Sequence, residues 1–438
     1  MSHDGKTDVE IDDAVAGAIG AAPAIDVPAL VLDAIDGKQT GTRWRSVGER
    51  LSIGSHPSND VHLDDRLASR FHCEITIDKH GARVRDREST NGTFVAGVRV
   101  VEAWLASGSL VRVGKTTLRF TLADERLSLP LAPAARFGGL VGRSVAMRRV
   151  FALLEAYARA AGAVLIEGES GTGKDRAAEV LHSEGPRAQG PFVVVDCGSI
   201  SAGELEAELF GAGDAAGAVE AAHGGTLFLD RVGELPPPLQ LSTLRLLEDR
   251  TARRTGTSDR RPVDVRVVAA THRHLREEVN EGRFRADLYY RLAVMNVVMP
   301  PLRAHLEDVP LLVRHLLERL GADDAAREKL TDPELLRRLQ RSDWPGNVRE
   351  LANYMEGCLA VREELPLSSG ASAVREHGLV DAFLPYSEAK RRALADFTRR
   401  YVSRLLEIHG DNVSRAAAAA GIDPVYLHRL LRRYLRDD

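Results

Sequence analysis

The chain has 438 residues, of which 44% are hydrophobic, and this length is enough for about two to four domains with sizeable cores. No apolar run is long enough to span a membrane, no signal-peptide pattern opens the chain, and Cys73, Cys197 and Cys358 are too far apart for a metal or disulfide motif. The net charge is −4, but residues 386–438 carry 11 Lys and Arg against 7 Asp and Glu, which suggests either a nucleic-acid contact or a solvated helical face. We therefore expect a cytoplasmic protein with several domains.

Residues 1–26 are small, acidic and rich in Ala and Gly, which predicts a disordered leader. Residues 27–124 form short alternating segments between turn residues, a pattern typical of a β-sandwich. Three loop motifs of this region, at residues 53–61, 68–73 and 88–97, follow one another in an order that resembles the forkhead-associated (FHA) domain. The resemblance implies a domain that binds phosphothreonine peptides through its loops.

By this resemblance Ser69, Arg70 and Asn91 contact the phosphate or the peptide backbone, and His72 supports the loop. The residue types suit the task, because Arg donates charge-assisted hydrogen bonds to a dianion. Ser55 stands where the family usually has Arg, so we expect phosphate binding to be weaker by about 1–3 kcal/mol. The alternative is an FHA scaffold that contacts proteins without dependence on phosphate.

A linker is predicted over residues 125–139, and beyond it a glycine-rich stretch lies between an apolar run and a predicted helix. Strand, glycine-rich loop and helix are the context of a P-loop, in which backbone N–H groups and a Lys hold phosphate oxygens. The alternative is a fortuitous glycine turn before a helix. The candidate ATP-binding residues are Gly168, Glu169, Ser170, Gly171, Thr172, Gly173, Lys174 and Asp175.

Continuous apolar runs alternate with helical segments after the linker, which predicts a buried parallel sheet. Residues 140–365 resemble the AAA+ domain of sigma-54-dependent transcriptional activators, with an α/β core and an α-helical lid. The motifs that carry the resemblance are the P-loop, Glu208–Gly211, Gly224–Asp230, Phe284–Leu292, Pro300–Arg303 and Trp344–Leu351. An acidic residue after the P-loop Lys, here Asp175, is normal in that family.

The resemblance also implies roles for single residues. Asp230 would hold Mg²⁺ through water, and Arg349 would sense the γ-phosphate from the lid. Arg285 and Arg291 would reach the nucleotide of a neighbouring subunit, which implies a ring oligomer; an arginine near transferring phosphoryl oxygens stabilises their charge. Without the flanking motif, a solvated helix face would explain both arginines equally well.

Three departures from that family argue against full activity. Arg231 replaces the Glu that polarises the attacking water, and an Arg cannot act as a base. His272 replaces an Asn that helps to position the water, and between Gly211 and Val219 the GAFTGA loop that grips sigma-54 is absent from the sequence. Tolerated drift is the alternative, but three linked losses favour a real loss of sigma-54 remodelling.

A second linker is predicted over residues 366–385, and residues 386–438 predict an all-α helix-turn-helix that resembles the Fis-type DNA-binding end of the same family. An apolar stripe on its first helix suits dimerisation, so a dimer would read half-sites about 34 Å apart. A helical hairpin that does not bind DNA is the alternative. The candidate DNA-binding residues are Tyr426, His428, Arg429, Arg432 and Arg433.

The sequence therefore predicts a β-sandwich, an α/β P-loop domain with a helical lid, and an all-α DNA-binding end. The leading hypothesis is a cytoplasmic transcriptional regulator that binds DNA, ATP and Mg²⁺, recognises a phosphorylated partner, hydrolyses ATP poorly and does not remodel sigma-54. The alternatives are a fully active sigma-54 activator ATPase and a phosphopeptide-binding scaffold.

Overall fold

The computed structural model describes residues 23–78, 81–198, 200–257 and 259–365, together with Val413 and Arg415. The chain divides into one unit over Met1–Leu365 and a second over Pro366–Asp438. Most of the predicted leader, the second linker and the helix-turn-helix lie outside the described residues. The same holds for the candidate DNA-binding residues Tyr426, His428, Arg429, Arg432 and Arg433.

The described part of the N-terminal domain is built from short strands that form two sheets. The strands are β1 (Ala24–Asp36), β2 (Arg43–Arg45), β3 (Arg50–Gly54), β4 (Val61–His62), β5 (Cys73–Asp78), β6 (Gly81–Asp86), β7 (Thr93–Val95), β8 (Val98–Val100), β9 (Glu102–Leu105), β10 (Leu110–Val113) and β11 (Thr116–Pro130). One sheet has the order β2-β1-β11-β10-β7-β8 and the other the order β4-β3-β5-β6-β9. The pairs are antiparallel except β3 with β4.

Apolar side chains from alternate positions of both sheets form the core of this sandwich, as expected for strands with one buried face. Leu30 and Leu32 of β1, Ile75 of β5, Val84 of β6 and Phe120 of β11 are fully buried. The predicted β-sandwich is therefore present.

The first and last strands of the sandwich form a long antiparallel ribbon that extends beyond the predicted domain bounds. Ala24 pairs with Pro130 and Asp26 with Ser128, although the sequence places these residues in the leader and in the linker. The linker range 125–139 therefore begins as a strand. Backbone pairing explains the difference, because each segment satisfies the N–H and C=O groups of the other.

The second domain alternates strands and helices. Its elements are β12 (Arg136–Phe137), β13 (Leu140–Val141), α1 (Val145–Arg159), β14 (Val164–Glu167), α2 (Lys174–Ser183), β15 (Phe192–Asp196), α3 (Ala202–Phe210), β16 (Gly211–Ala212), β17 (Ala215–Ala216), α4 (Ala218–Ala221), β18 (Thr226–Asp230), α5 (Pro237–Asp249), β19 (Thr251–Arg253), β20 (Arg260–Pro262), β21 (Arg266–Thr271), α6 (Leu275–Asn280), α7 (Ala286–Leu292), β22 (Met295–Val298), α8 (Val309–Arg319), α9 (Asp324–Leu330), α10 (Pro333–Leu339) and α11 (Asn347–Val361).

A five-stranded parallel sheet with the order β15-β18-β21-β14-β22 forms the centre of this domain. Its inner strands are apolar along their length because helices cover both faces, and Val164, Leu165 and Ile166 of β14 are fully buried. β14 is an inner strand between β21 and β22, and ligands of such sheets bind at the carboxyl ends of the strands.

Helices α8–α11 form the lid, and α8 and α11 contact each other. A buried carboxylate joins this part to the start of the domain: Asp308 accepts hydrogen bonds from the backbone N–H groups of Arg143 (2.7 Å) and Ser144 (2.9 Å) and from the Ser144 hydroxyl (2.6 Å). Ser144 in turn caps α1. Among the described residues, no helix has both the length and the apolar character needed to cross a membrane.

Candidate nucleotide-binding site and peptide-binding loops

The predicted P-loop connects β14 to α2, as its sequence context requires. Gly173 precedes α2 with φ of 93°, and Gly171 has φ of 79°, a left-handed conformation that glycine adopts without steric cost. A Cβ atom on Gly171 would lie 2.2 Å from the carbonyl oxygen of Gly346 in the lid. Gly171 is therefore required both for the turn and for the close approach of the lid.

Lys174 is buried at the start of α2, and its Nζ donates to the carbonyl oxygens of Gly168 (2.9 Å) and Glu169 (2.8 Å). Burial lowers the pKa of Lys174, and the negative charges of Asp230 and Asp175 partly offset this effect. The ammonium and the α2 N-terminus together provide the donors that nucleotide phosphates need.

Two carboxylates face this lysine. Burial and the neighbouring charge of Asp175 raise the pKa of Asp230, which ends β18. Within the described ranges, no group of three or more His, Cys, Asp or Glu side chains could hold a metal ion. The residues present fit Mg²⁺ together with phosphate oxygens, because Asp230 and Asp175 provide the hard oxygen ligands that this ion prefers.

Three side chains from the lid and from the turn before α8 contact the P-loop. Arg349 Nη1 donates to Ser170 Oγ (2.8 Å), and Arg349 Nη2 lies 4.0 Å from Asp175 Oδ2. Asn347 Nδ2 donates to the Ser170 carbonyl (3.0 Å), and Arg303 forms two hydrogen bonds to the Glu169 carboxylate (2.5 and 2.7 Å). The structure thus places Arg349 at the P-loop, and it adds Arg303 and Asn347, to which the sequence assigned no role.

Arg231 occupies the position predicted for the catalytic carboxylate, directly after Asp230. Its Nε donates to Asp196 Oδ1 (2.6 Å), and its Nη2 donates to the other carboxylate oxygen. Asp196 ends β15 and is paired in register with Asp230, the residue before Arg231. This register explains why the side chains of Asp196 and Arg231 meet. Burial opposes the charge of Asp196, but the hydrogen bonds from Arg231 and the Gly198 N–H outweigh it and lower the pKa of this carboxyl.

Glu234 and His272 lie beside this ion pair. Their side chains are 3.9 Å apart, from His272 Nε2 to Glu234 Oε1. A Cβ atom on Gly198 would lie 2.3 Å from Glu234 Oε2 and 3.1 Å from Arg231 Cζ, so the Glu234 and Arg231 side chains flank the same glycine. The carboxylate of Glu234 therefore lies near Arg231, which stands at the position of the missing catalytic carboxylate, although Glu234 is three residues further along the chain.

Arg285 and Arg291 are at the two ends of α7, and their side chains are 45% and 56% exposed. Arg285 forms an ion pair with Asp287 and Arg291 with Glu248. In the described part of the chain, neither arginine forms a hydrogen bond or ion pair with a P-loop residue. The structure thus does not bring them to the nucleotide site of their own subunit.

The segment expected to carry the sigma-54 loop is a hairpin of β16 and β17 with only Gly213 and Asp214 at its turn. Arg254 fixes this turn: its Nη1 donates to the Asp214 carbonyl (2.6 Å), while its Nε and Nη2 donate to Glu220 (2.6 and 2.8 Å). The hairpin is therefore short and anchored.

In the N-terminal domain the predicted peptide-binding residues converge around His72. The backbone N–H of Ser69 donates to His72 Nδ1 (3.0 Å), so Nε2 carries the proton and donates to the Gly92 carbonyl (3.2 Å). Burial lowers the pKa of His72, which keeps the ring neutral. His72 thereby joins the loop of Ser69 to the loop of Asn91.

Ser69 and Asn91 themselves contact the neighbouring loops. Ser69 Oγ accepts the N–H of Thr90 (3.0 Å), a residue that the sequence analysis did not single out, and Asn91 Nδ2 donates to the Leu67 carbonyl (2.8 Å). Arg70 is exposed, and its Nη1 lies 3.5 Å from the Val279 carbonyl oxygen of the P-loop domain.

Family comparisons agree with this arrangement. The sequence matches the FHA domain over residues 51–114, the Sigma-54 interaction domain over residues 140–298 and the AAA+ ATPase lid domain over residues 303–369.

Whole-chain relatives are similar over longer stretches. The transcriptional regulatory protein GlrR of Escherichia coli (strain K12) is 37% identical over 390 residues, which are 86% of each chain. The transcriptional regulatory protein ZraR of Klebsiella oxytoca is 38% identical over 325 residues, 70% of this chain and 72% of that protein. Among solved structures, NtrX from Brucella abortus in complex with ATP is 34% identical, with a TM-score of 0.52, over 69% of this chain and 70% of NtrX.

Proposed function

The chain belongs to the family of sigma-54-dependent transcriptional regulators, and from this premise we propose that it is an ATP-binding regulator that hydrolyses ATP poorly. It regulates transcription through DNA contacts of residues 386–438 and does not remodel sigma-54 itself. The observation that carries the proposal is the Arg231–Asp196 ion pair at the position of the expected catalytic carboxylate.

ATP binding is supported by the P-loop donors of Lys174 and by the lid contacts of Arg349. Mg²⁺ would be held by Asp230 and Asp175 with the phosphates, and it would neutralise part of their charge. Solved structures of NtrX with ATP and with ADP support the same ligand class. The bound nucleotide then promotes assembly, because Arg285 and Arg291 of one subunit contact the nucleotide of the neighbouring subunit.

Poor hydrolysis follows from the chemistry at Arg231. A guanidinium stays protonated at any physiological pH, so it cannot take a proton from water. Asp196 is a carboxylate, but two hydrogen bonds from Arg231 occupy it. The short hairpin with Gly213 and Asp214 at its turn is anchored by Arg254, which supports the proposal that this segment does not bind sigma-54.

The N-terminal FHA domain binds a partner protein that carries phosphothreonine, in the cytoplasm. Ser69 and Thr90 lie within 3.5 Å of each other, and the exposed guanidinium of Arg70 provides the charge that a phosphate dianion requires. The C-terminal residues Tyr426, His428, Arg429, Arg432 and Arg433 contact DNA as a dimer.

The test is phosphate release from Mg-ATP by the full chain. We expect turnover at least about 100-fold below that of the double variant Arg231→Glu with Asp196→Asn, which restores a carboxylate and removes the like charge beside it. Lys174→Ala, which removes the phosphate-binding ammonium, is the background control. A rate for the unmodified chain that is well above the Lys174→Ala background and comparable to that of the double variant would reject poor hydrolysis.

An active ATPase is the second candidate, and the Glu234–His272 contact favours it. In that case Glu234→Gln would abolish a measurable rate, whereas our proposal predicts almost no change. Protection of upstream DNA at moderate salt separates both from a peptide-binding scaffold, which would leave no specific footprint.

A further inference from the structure

The end of the FHA domain that is predicted to bind peptide contacts the P-loop domain. Residues in or directly next to all three loops of that end contact helices α6 and α7 of the P-loop domain. His56 of the first loop stacks on Tyr290 with ring centroids 4.1 Å apart, Phe71 of the second packs on Tyr289 at 5.2 Å, and Arg87, at the start of the third, forms an ion pair with Glu277 at 3.2 Å.

Phe71 is the centre of this contact. It lies between Arg70 and His72, and it is 2% exposed because it joins the apolar core of the other domain. Asn280, the last residue of α6, binds both main-chain groups of Phe71: the Phe71 N–H donates to Asn280 Oδ1 (3.1 Å), and Asn280 Nδ2 donates to the Phe71 carbonyl (2.6 Å). One side chain thus fixes the backbone next to the predicted phosphate ligand.

A buried charge cluster borders Phe71. Glu74 is buried and lies 3.5 Å from Arg50, 3.4 Å from Arg87 and 3.0 Å from Arg276 of α6. Burial opposes its charge, but the three arginines outweigh burial and hold the pKa of Glu74 low. Only Arg276 of this cluster comes from the P-loop domain, and burying its charge at the interface costs desolvation, so such an interface can open reversibly.

Arg70 connects this interface to phosphate recognition. Its Nη1 is 3.5 Å from the Val279 carbonyl oxygen, a long contact to a neutral acceptor. A phosphate dianion is a much stronger partner for a guanidinium. Because a peptide on the three loops would run where α6 and α7 lie, both ligands need the same space.

We infer that the α6–α7 segment, residues 275–292, is the resident ligand of the FHA domain and that a phosphothreonine peptide displaces it. This inference rests on the proposed phosphothreonine recognition. Tyr289 and Tyr290 contact the FHA domain, and Arg285 and Arg291 stand at the ends of the same helix. Peptide binding therefore frees the helix that carries the arginines expected to act on a neighbouring subunit.

The experiment measures binding of a peptide mixture, with a central phosphothreonine and randomised flanks, to the full chain, with the unphosphorylated mixture as blank. Glu277→Gln and Asn280→Ala each remove a contact across the interface, so the affinity should rise about fivefold or more. Glu281→Gln is the matched control, because Glu281 pairs with Arg283 of its own domain, and it should leave the affinity unchanged. Arg70→Ala should abolish binding.

The same samples give a second readout, hydrogen exchange of residues 275–292. Exchange should increase when the phosphorylated mixture is added to the unmodified chain. Affinities of Glu277→Gln and Asn280→Ala equal to that of the unmodified chain, with binding still lost in Arg70→Ala, would overturn the displacement and leave phosphothreonine recognition intact. Peptide binding that leaves exchange unchanged or slows it would overturn the displacement as well. Absence of binding to every variant would instead reject phosphothreonine recognition, and the displacement with it.

Discussion

At the scale of single residues, Asp308 shows how much one buried carboxylate can organise. It accepts three hydrogen bonds from Arg143 and Ser144, and His305 Nδ1 lies 3.2 Å from its Oδ2. Burial opposes its charge, but the hydrogen bonds from His305, Ser144 and Arg143 outweigh it, and the pKa of Asp308 is lowered from its ordinary value of 3.8. The charged form is therefore part of the folded state.

We expect Asp308→Asn to lower the free energy of unfolding by about 3 kcal/mol at pH 7, because the amide turns a donor towards N–H groups. A lowered pKa contributes stability above 3.8 that is lost as the pH falls through the folded value. The difference between variant and parent, measured by urea unfolding, should therefore shrink below about pH 3.8. Asp324→Asn, at a fully exposed carboxylate, should change little at any pH.

The residues that meet in the nucleotide site show what the sequence could and could not predict. The P-loop of Lys174 was predictable, because loop, strand and helix are contiguous in the chain. Asp196 was not, because only the register of β15 against β18 brings it to Arg231. Arg349 followed from its motif, whereas Asn280 and Phe71, 209 positions apart, meet only through domain docking. The sequence predicts motifs that lie within one loop and the elements next to it. It does not predict contacts that depend on the order of strands in a sheet or on the docking of domains.

At the scale of elements, the β16–β17 hairpin is held by one arginine. The Arg254 side chain is 11% exposed, and Glu220 opposite it is 17% exposed. Since its guanidinium also binds the carbonyl of Asp214, it connects the hairpin turn to α4. The Arg254–Glu220 ion pair thus holds the hairpin close to α4, whereas an extended loop would project from the domain.

Arg254→Ala removes the hydrogen bonds that join the Asp214 carbonyl to Glu220, so we expect faster proteolysis near Gly213. Arg261→Ala is the matched control, because Arg261 also contacts Glu220 but is 50% exposed, and it should leave the cleavage rate nearly unchanged. Limited proteolysis with mass spectrometry measures both. Equal cleavage rates in the two variants would show that Arg254 does not fix the hairpin.

At the scale of the whole molecule, the proposed function assigns the two ends of α7 a role in nucleotide-dependent assembly. Among the described residues, Arg285 and Arg291 form ion pairs with Asp287 and Glu248 and none with the P-loop, so the proposed function requires a second subunit to receive them. In a ring, the negative charges of a nucleotide bound to the neighbouring subunit would attract these exposed guanidinium groups.

We expect Arg285→Ala and Arg291→Ala to keep the nucleotide affinity of the single subunit within about twofold and to lose ATP-dependent association. Sedimentation velocity with ATP and with ADP measures the association, and nucleotide fluorescence measures the affinity. Arg319→Ala, at the exposed end of α8, is the matched control. Association that survives both substitutions would assign assembly to other contacts.

The β1–β11 ribbon has a practical consequence for dissection of the chain. Pro130 pairs with Ala24, and only two residues later the Ala132 N–H donates to the carbonyl oxygen of Arg148 in the next domain. A fragment cut at residue 124 would therefore leave β1 with an open hydrogen-bonding edge from Ala24 to Pro28. Such an edge recruits other chains, so an FHA fragment ending at residue 124 should aggregate, whereas one ending after Pro130 should remain monodisperse.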